Sequence, residues 1–364
     1  MRNIGLDISR STAIILVLLA HSKLYFPLTF YNLLETLGIF GVEIFFTLSG
    51  FLIGQIIIND VLEEGSWSSL KRFYIRRWLR TLPIYYVVLF FLFIFNKTFH
   101  WEHILFLQNF KESTLLFFPE SWSLSVEEWF YLLIPFVLLL ITKIFGNKKV
   151  RFISICIILI LLLLAIRGIY VYVFNPKWVI GVRMQPFLRM DSLVFGVLFA
   201  GIKIYYKKTY KLIVRRAVLL LSLSVLGLTL CGFYFFVNFN KGIFDHTFFP
   251  RTLYLSIIPL FSIGVVIALE NMKFGHLNNK LIKVINFISL TSYSTYLIHY
   301  GIIKNLYKLK KIIPYYPFTM LIWIISLCLI YTIAWFSYKY VEQPVLRYRD
   351  KITLTYHNQV NIKV

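Results

Sequence analysis

Acid and cysteine are the residues this chain has least of. Only 16 of its 364 residues are aspartate or glutamate, against 38 lysines and arginines, and charged residues of both signs make up 15%. Soluble domains carry about 25%, so an ordinary water-facing surface is excluded. The three cysteines, Cys156, Cys231 and Cys328, fall inside separate apolar runs far apart in the sequence, which leaves no basis for a disulfide framework or a thiolate metal cluster. Nothing at the N-terminus reads as a cleavable leader, since Asp7 and Arg10 interrupt the first apolar run and no small-residue cleavage site follows, so that span is expected to be retained. An internal repeat is also lacking, which counts against transporters built from duplicated halves. The longest segment between apolar runs on the outer side, about 99–121, is too short for an independent fold.

What fills the chain instead is apolar. Hydrophobic residues make up 59% and aromatics 19%, mean hydropathy is +0.74, and the apolar residues come in blocks of the roughly 20 residues that cross a bilayer. The expected fold is all-α, a polytopic transmembrane helical bundle of about ten spans. They run roughly over 6–27, 38–58, 83–98, 122–142, 152–173, 187–204, 217–237, 252–271, 285–303 and 317–340, boundaries good to a few residues. A transmembrane domain over 1–345 and a short cytoplasmic tail over 346–364 follow. Basic residues crowd the alternate loops 59–82, 143–151 (with Lys148 and Lys149), 205–216 and 272–284. The positive-inside bias then puts both termini in the cytoplasm and the protein in the inner (plasma) membrane, multi-pass, with the lipid bilayer as its surroundings. The same distribution accounts for the net charge of +22 without nucleic acid as a partner. Lys304, Lys308, Lys310 and Lys311 are the misfit; they fall outside and suggest an amphipathic surface segment.

Against this background each ionisable residue in a span stands out, because a charge at membrane depth is costly and usually needs a partner or a wet cavity. The stretch from Ser121 to Tyr131 sets Glu127 and Glu128 at the mouth of an apolar run, flanked by Trp122 and Trp129. Arg10 and His21 share the first span, about 16 Å apart along a helix rising 1.5 Å per residue. The second span carries Glu43 and a run of small residues, Ser49, Gly50 and Gly54, that admit a close helix or a ligand. Arg77 and Arg80, three apart, share a face at a helix mouth; a planar guanidinium suits phosphates, and anionic lipid headgroups are the simpler alternative. Arg167, Arg189, Asp191 and His299 complete the set. In the ten-span topology His21, Glu43, Glu127, Glu128, Arg167, Arg189, Asp191 and His299 all lie in the outer third, with Arg10, Arg77 and Arg80 at the inner face. The two histidines sit on distant spans without ligand spacing, so no metal is implied.

Taken together these segments resemble the acyltransferase 3 family of integral-membrane acyltransferases. The resemblance runs from about residue 5 to 345 through Arg10 with His21, the Gly41–Gly54 stretch, Arg77-x-x-Arg80, Ser123-Leu124-Ser125-Val126-Glu127-Glu128, Arg189-x-Asp191, Ser292-Tyr293-Ser294-x-Tyr296-Leu297-x-His299 and Glu342-Gln343-Pro344. Trp129 stands where the family often has Gln, and Asp7-Ile8-Ser9 departs from the more usual residues before Arg10. Some members add a C-terminal hydrolase-like domain, which is not expected from these residues.

The resemblance implies an O-acyltransferase that moves an acyl group, commonly acetyl, from cytoplasmic acyl-coenzyme A to a hydroxyl of an extracytoplasmic polysaccharide or lipid-linked sugar, with no bound cofactor. In that frame Arg10, Arg77 and Arg80 bind the donor phosphates. His21 is the general base, assisted by Glu127 or Glu128, and Glu43, Ser49, Arg189, Asp191 and His299 form the acceptor or oxyanion pocket, with Arg189 on the oxyanion. The alternative reading of the same buried acids and histidines is a proton-coupled transporter or flippase.

Overall fold

The computed structural model describes residues 3–96, 98, 100–110, 117–146, 149–275, 277–311 and 315–351. The apolar blocks become ten long helices: α1 (Ile4–His21), α2 (Tyr31–Ile56), α3 (Trp67–Asn96), α4 (Trp122–Phe145), α5 (Lys149–Phe174), α6 (Pro186–Tyr205), α7 (Ala217–Asn238), α8 (Tyr254–Asn271), α9 (Asn279–Tyr307) and α10 (Tyr316–Ser337). Among the described residues there is no strand, as the bilayer demands of an open chain whose backbone must satisfy itself. Local chemistry sets several ends. The Asn3 side chain accepts from the Leu6 amide at the start of α1, Asn278 does the same for Lys280 at α9, and Gly146 takes a left-handed φ of 78° just past α4.

Among the described residues, nine of these ten helices are long and apolar enough to cross a membrane. The exception, α6, carries Arg189, Asp191 and Lys203, and it survives because other helices enclose it. The hub is α2: 78% of its most apolar window is buried, against 17% for α5, which turns its apolar surface outward. Packing of α6 on α2 depends on two glycines. A Cβ on Gly50 would stand 2.0 Å from the Leu193 carbonyl oxygen, and one on Gly196 would stand 2.3 Å from that of Thr47. Such contact needs hydrogen in place of a side chain.

Three π-helical turns interrupt this regularity: Ile57–Leu62 after α2, Trp178–Arg183 before α6, and Tyr338–Glu342 after α10. Beyond the last of them the chain stays helical to residue 351. The expected boundary at 345 therefore falls inside a helix, and residues 352–364 of the tail lie outside the described residues. Lys308–Lys311 forms a short 3-10 turn directly after α9. Lys148 lies outside the described residues, as do the side chains of Lys149, Lys310 and Lys311.

Between α3 and α4 the chain folds back through the short turns Trp101–His103, Gln108–Phe110 and Pro119–Ser121. These bury Glu102, His103, Gln108, Asn109 and Glu120. Burial, with His100 beside it, pushes the His103 imidazole down to about 4, so it is neutral at physiological pH.

Candidate active site

A cavity of about 1010 Å³ runs into the bundle between α1, α2, α3, α4, α9 and the end of α10. That lies at the top of the roughly 300–1,000 Å³ typical of small-molecule sites. Its mouth is marked by Asp60 and Arg76, an ion pair at 3.6 Å whose side chains are about half exposed. Inside the mouth stand Arg10, Arg77 and Arg80. Arg80 lines this space, makes no hydrogen bond or close ion pair among the described residues, and feels the like charges of Arg10, Arg77 and Arg349 against the single opposite charge of Glu342. Clustered like charges repel, and a polyanion in the cavity would relieve that repulsion. The π-helical turns after α2 and α10 present Asn59, Asp60, Tyr338 and Glu342 to the same cavity. Glu342 is fixed by a hydrogen bond from Ser294.

Deeper in, α4 delivers the adjacent acids in two directions. Glu127 faces the cavity, accepting from Ser49 at 3.0 Å and Tyr131 at 2.9 Å, with Arg77 at 3.6 Å. The Arg77 guanidinium also donates to the Tyr131 hydroxyl and lies 4.0 Å over its ring. Glu128 turns towards α3 and accepts from Thr81 at 2.9 Å, leaving its Oε2 buried without a partner. Of the acids expected beside His21, Glu127 is thus held by Arg77, from the group expected at the opposite face, and Glu128 by Thr81.

The cavity's far end is closed by Tyr296 and Ser123, whose hydroxyls are 2.6 Å apart. Behind them the Tyr296 ring centroid lies 5.6 Å from that of His299. Fully buried His299 in turn meets His21 across the gap between α9 and α1, with Nε2 to Nδ1 at 2.8 Å. This contact corrects the expectation that Glu127 or Glu128 supports His21: the ring partner is a histidine, because both acids are held elsewhere.

The hydrogen bonds also assign the tautomers of a neutral pair. His299 Nδ1 lies 2.7 Å from the Tyr296 carbonyl, which can only accept. His299 must therefore donate from Nδ1 and accept at Nε2, so His21 donates from Nδ1 and keeps a bare Nε2. A lone pair at that nitrogen is what a general base needs. His21 and His299 meet, yet among the described residues no third histidine, cysteine or acid joins them to form a metal site.

Glu43, Arg189 and Asp191 lie in a separate buried cluster. Arg189 is fully buried, paired with Glu43, and donates to the Leu255 carbonyl at 3.1 Å and the Ser192 hydroxyl at 3.0 Å. Beside it Arg167, also fully buried, is 3.0 Å from Asp191 and donates to the Leu188 carbonyl at 2.7 Å. None of these four lines the cavity. Arg189, expected on the oxyanion, has both terminal nitrogens committed to the framework that joins α2, α5, α6 and α8, and its Nε is buried without a partner. Of the pocket expected from sequence, Ser49 alone lines the cavity and His299 alone reaches His21.

Sequence reasoning missed Tyr131 and Thr81, which place the acids, and Tyr296 and Ser123, which close the cavity. It also missed Arg183, held in the π-helical turn before α6. Aromatic and hydroxyl residues are too common in apolar runs to signal such roles. Arg183 left one trace, a lone arginine in an outer loop.

The family described as Acyltransferase domain matches residues 3–339. The peptidoglycan O-acetyltransferase OatA of Listeria monocytogenes is 25% identical, over 85% of this chain and 51% of the relative. The O-acetyltransferase OatA of Staphylococcus aureus is 26% identical, over 85% and 52%. A further S. aureus relative, provisionally named an O-acetyltransferase, is 26% identical over 93% and 56%. The chain spans about half the length of the curated relatives it matches, and no solved structure shows significant similarity to it. With the match extending over all ten long helices, the chain belongs to the acyltransferase 3 family of membrane-embedded acyltransferases.

Proposed function

We propose that this protein is a membrane O-acyltransferase that takes an acyl group, most simply acetyl, from acyl-coenzyme A and places it on a hydroxyl of a cell-surface glycan such as peptidoglycan. The observation that carries the reading is a cavity whose mouth holds Arg10, Arg77 and Arg80 and whose far end lies one side chain from the His21–His299 pair. The arginines bind the donor's phosphates from the cytoplasmic side. The donor's slim arm runs inward past Glu127, and displacement of the Tyr296 ring opens the way to His21.

There the acceptor hydroxyl gives its proton to His21 Nε2 as its oxygen bonds to the acyl carbon. The tetrahedral intermediate collapses, the carbon–sulfur bond breaks, and the departing thiolate takes the proton back from the imidazolium. His299 holds His21 in the basic tautomer and shares the transient positive charge through the Nδ1 hydrogen bond.

The test is purified protein in sealed vesicles with acyl-labelled coenzyme A and a peptidoglycan fragment. Label covalently on the glycan supports the reading. Movement of glycan across the membrane without label would favour the transporter alternative.

A further inference from the structure

The acyl-transfer chemistry needs a cation where charge develops on the acyl carbonyl oxygen, and Arg189 is committed elsewhere. Arg183 is not. It is 7% exposed and held with its Cζ 5.0 Å from the Trp122 ring centroid and 5.7 Å from that of Trp178. Trp178 is itself fixed, its indole donating to the Pro250 carbonyl at 3.0 Å and its amide to Asp245 at 2.7 Å. Such a clamp positions a guanidinium without using its hydrogen-bond donors. Among the described residues none accepts a hydrogen bond from Arg183 and no carboxylate comes within ion-pair distance, Glu35 and Glu43 being the opposite charges it feels from further off. Its nitrogens are nevertheless not sealed in, unlike the buried, unpartnered Nε atoms of Arg167 and Arg189. Accessible donors that no protein acceptor takes are open to a ligand oxygen.

Its neighbours indicate what arrives. His21 and Tyr296 both lie within reach of its charge, and Trp122 is the chain neighbour of Ser123, which bonds Tyr296. The other nearby cation, Lys23, is already paired with Glu35. We propose that Arg183 is a catalytic residue whose guanidinium donates to the acyl carbonyl oxygen as it becomes an oxyanion.

When the acceptor oxygen bonds to the acyl carbon, the carbonyl π electrons move to that oxygen and Arg183 holds the resulting negative charge. When the carbon–sulfur bond breaks, the pair returns to re-form the carbonyl and the sulfur leaves with its bonding electrons. The proposal rests on His21 as the base, and the test separates the two.

Turnover and binding are measured with acetyl-coenzyme A and a soluble peptidoglycan fragment for Arg183→Met, Arg183→Gln, Arg183→Lys and His21→Gln, each checked for its thermal midpoint. Removing one oxyanion donor typically costs about 10²–10³ in kcat. The two neutral variants are expected to lose that much, with acceptor KM and donor affinity within a few fold of the parent. Arg183→Lys is expected to recover at least about tenfold of the loss. Unchanged kcat in a folded neutral variant, or a loss appearing only as a raised acceptor KM, would overturn the assignment. Failure of both neutral variants to keep the parental midpoint would make Arg183 a packing residue and overturn it equally. Full turnover by His21→Gln would instead remove the underlying base, whatever Arg183 does.

Discussion

Removing Glu43 should unfold the bundle rather than slow the chemistry. Glu43→Ala leaves the Arg189 charge fully buried, with only the Leu255 carbonyl and the Ser192 hydroxyl to receive it. Breaking one partner of a buried pair costs about 3–5 kcal/mol, roughly a 10²–10³-fold or greater loss in the folded-to-unfolded ratio at 1.4 kcal/mol per tenfold. Replacing both partners with apolar side chains of similar size removes the charge that needed compensation. Glu43→Leu with Arg189→Met should therefore fall between neutral and about 1–4 kcal/mol more stable. The cycle of parent, two single variants and the double is read by denaturation in detergent, and acyl transfer is measured on every member that folds. A coupling energy of several kcal/mol with an active double variant is expected. The framework role is refuted if Glu43→Ala melts like the parent, or if a well-folded double variant has lost kcat by about 10² or more.

His299→Phe, which cannot accept from His21 Nδ1, should lower kcat by about 10–100-fold with donor affinity unchanged, whereas His299→Gln, which can accept, should retain part of the rate; equal rates in the two would refute the tautomer assignment. Arg80→Ala should weaken binding of acyl-coenzyme A by about tenfold or more and leave kcat at saturating donor within a few fold, since a phosphate contact lies far from the acyl carbon. Calorimetry with intact and dephosphorylated donor checks this; unchanged affinity would assign Arg80 to lipid headgroups. His103 has a folded-state value of about 4, below the ordinary 6.5, so the unfolded chain binds a proton first and stability should fall as pH drops from about 7 towards 4. The thermal midpoint of His103→Phe should decline less over that window, and an identical decline would exclude His103 as a source of acid sensitivity.

Much of the bundle is legible in the sequence because bilayer thickness and hydropathy act on each segment alone. The expected 187–204 span is helix Pro186–Tyr205 even though it carries three charges. Pairing is what one-dimensional patterns do not carry. His21 and His299 are 278 residues apart and Glu43 and Arg189 are 146 apart, and no periodicity says that α1 faces α9 or that α2 faces α6. Side-chain reach is equally invisible in the sequence, as Glu127 shows. It lies near the start of α4, yet the long side chains of Arg77 and Tyr131 connect it to the cavity's arginines. The glycines of α2 illustrate the opposite case: of the close helix or ligand that small residues admit, the Leu193 carbonyl beside Gly50 shows the close helix.

The most direct measurement is sidedness in oriented, sealed vesicles, with a cysteine label in the 143–151 loop to report orientation. Acetyl-coenzyme A supplied on the side where the Arg10–Arg80 cavity opens should lead to acetylation of a peptidoglycan fragment supplied only on the opposite side, and His21→Ala should abolish it while still binding donor. Acetylation that proceeds with donor and acceptor both confined to the side away from the arginines, or that persists in folded His21→Ala protein, would contradict a donor threaded through this cavity to the histidine pair.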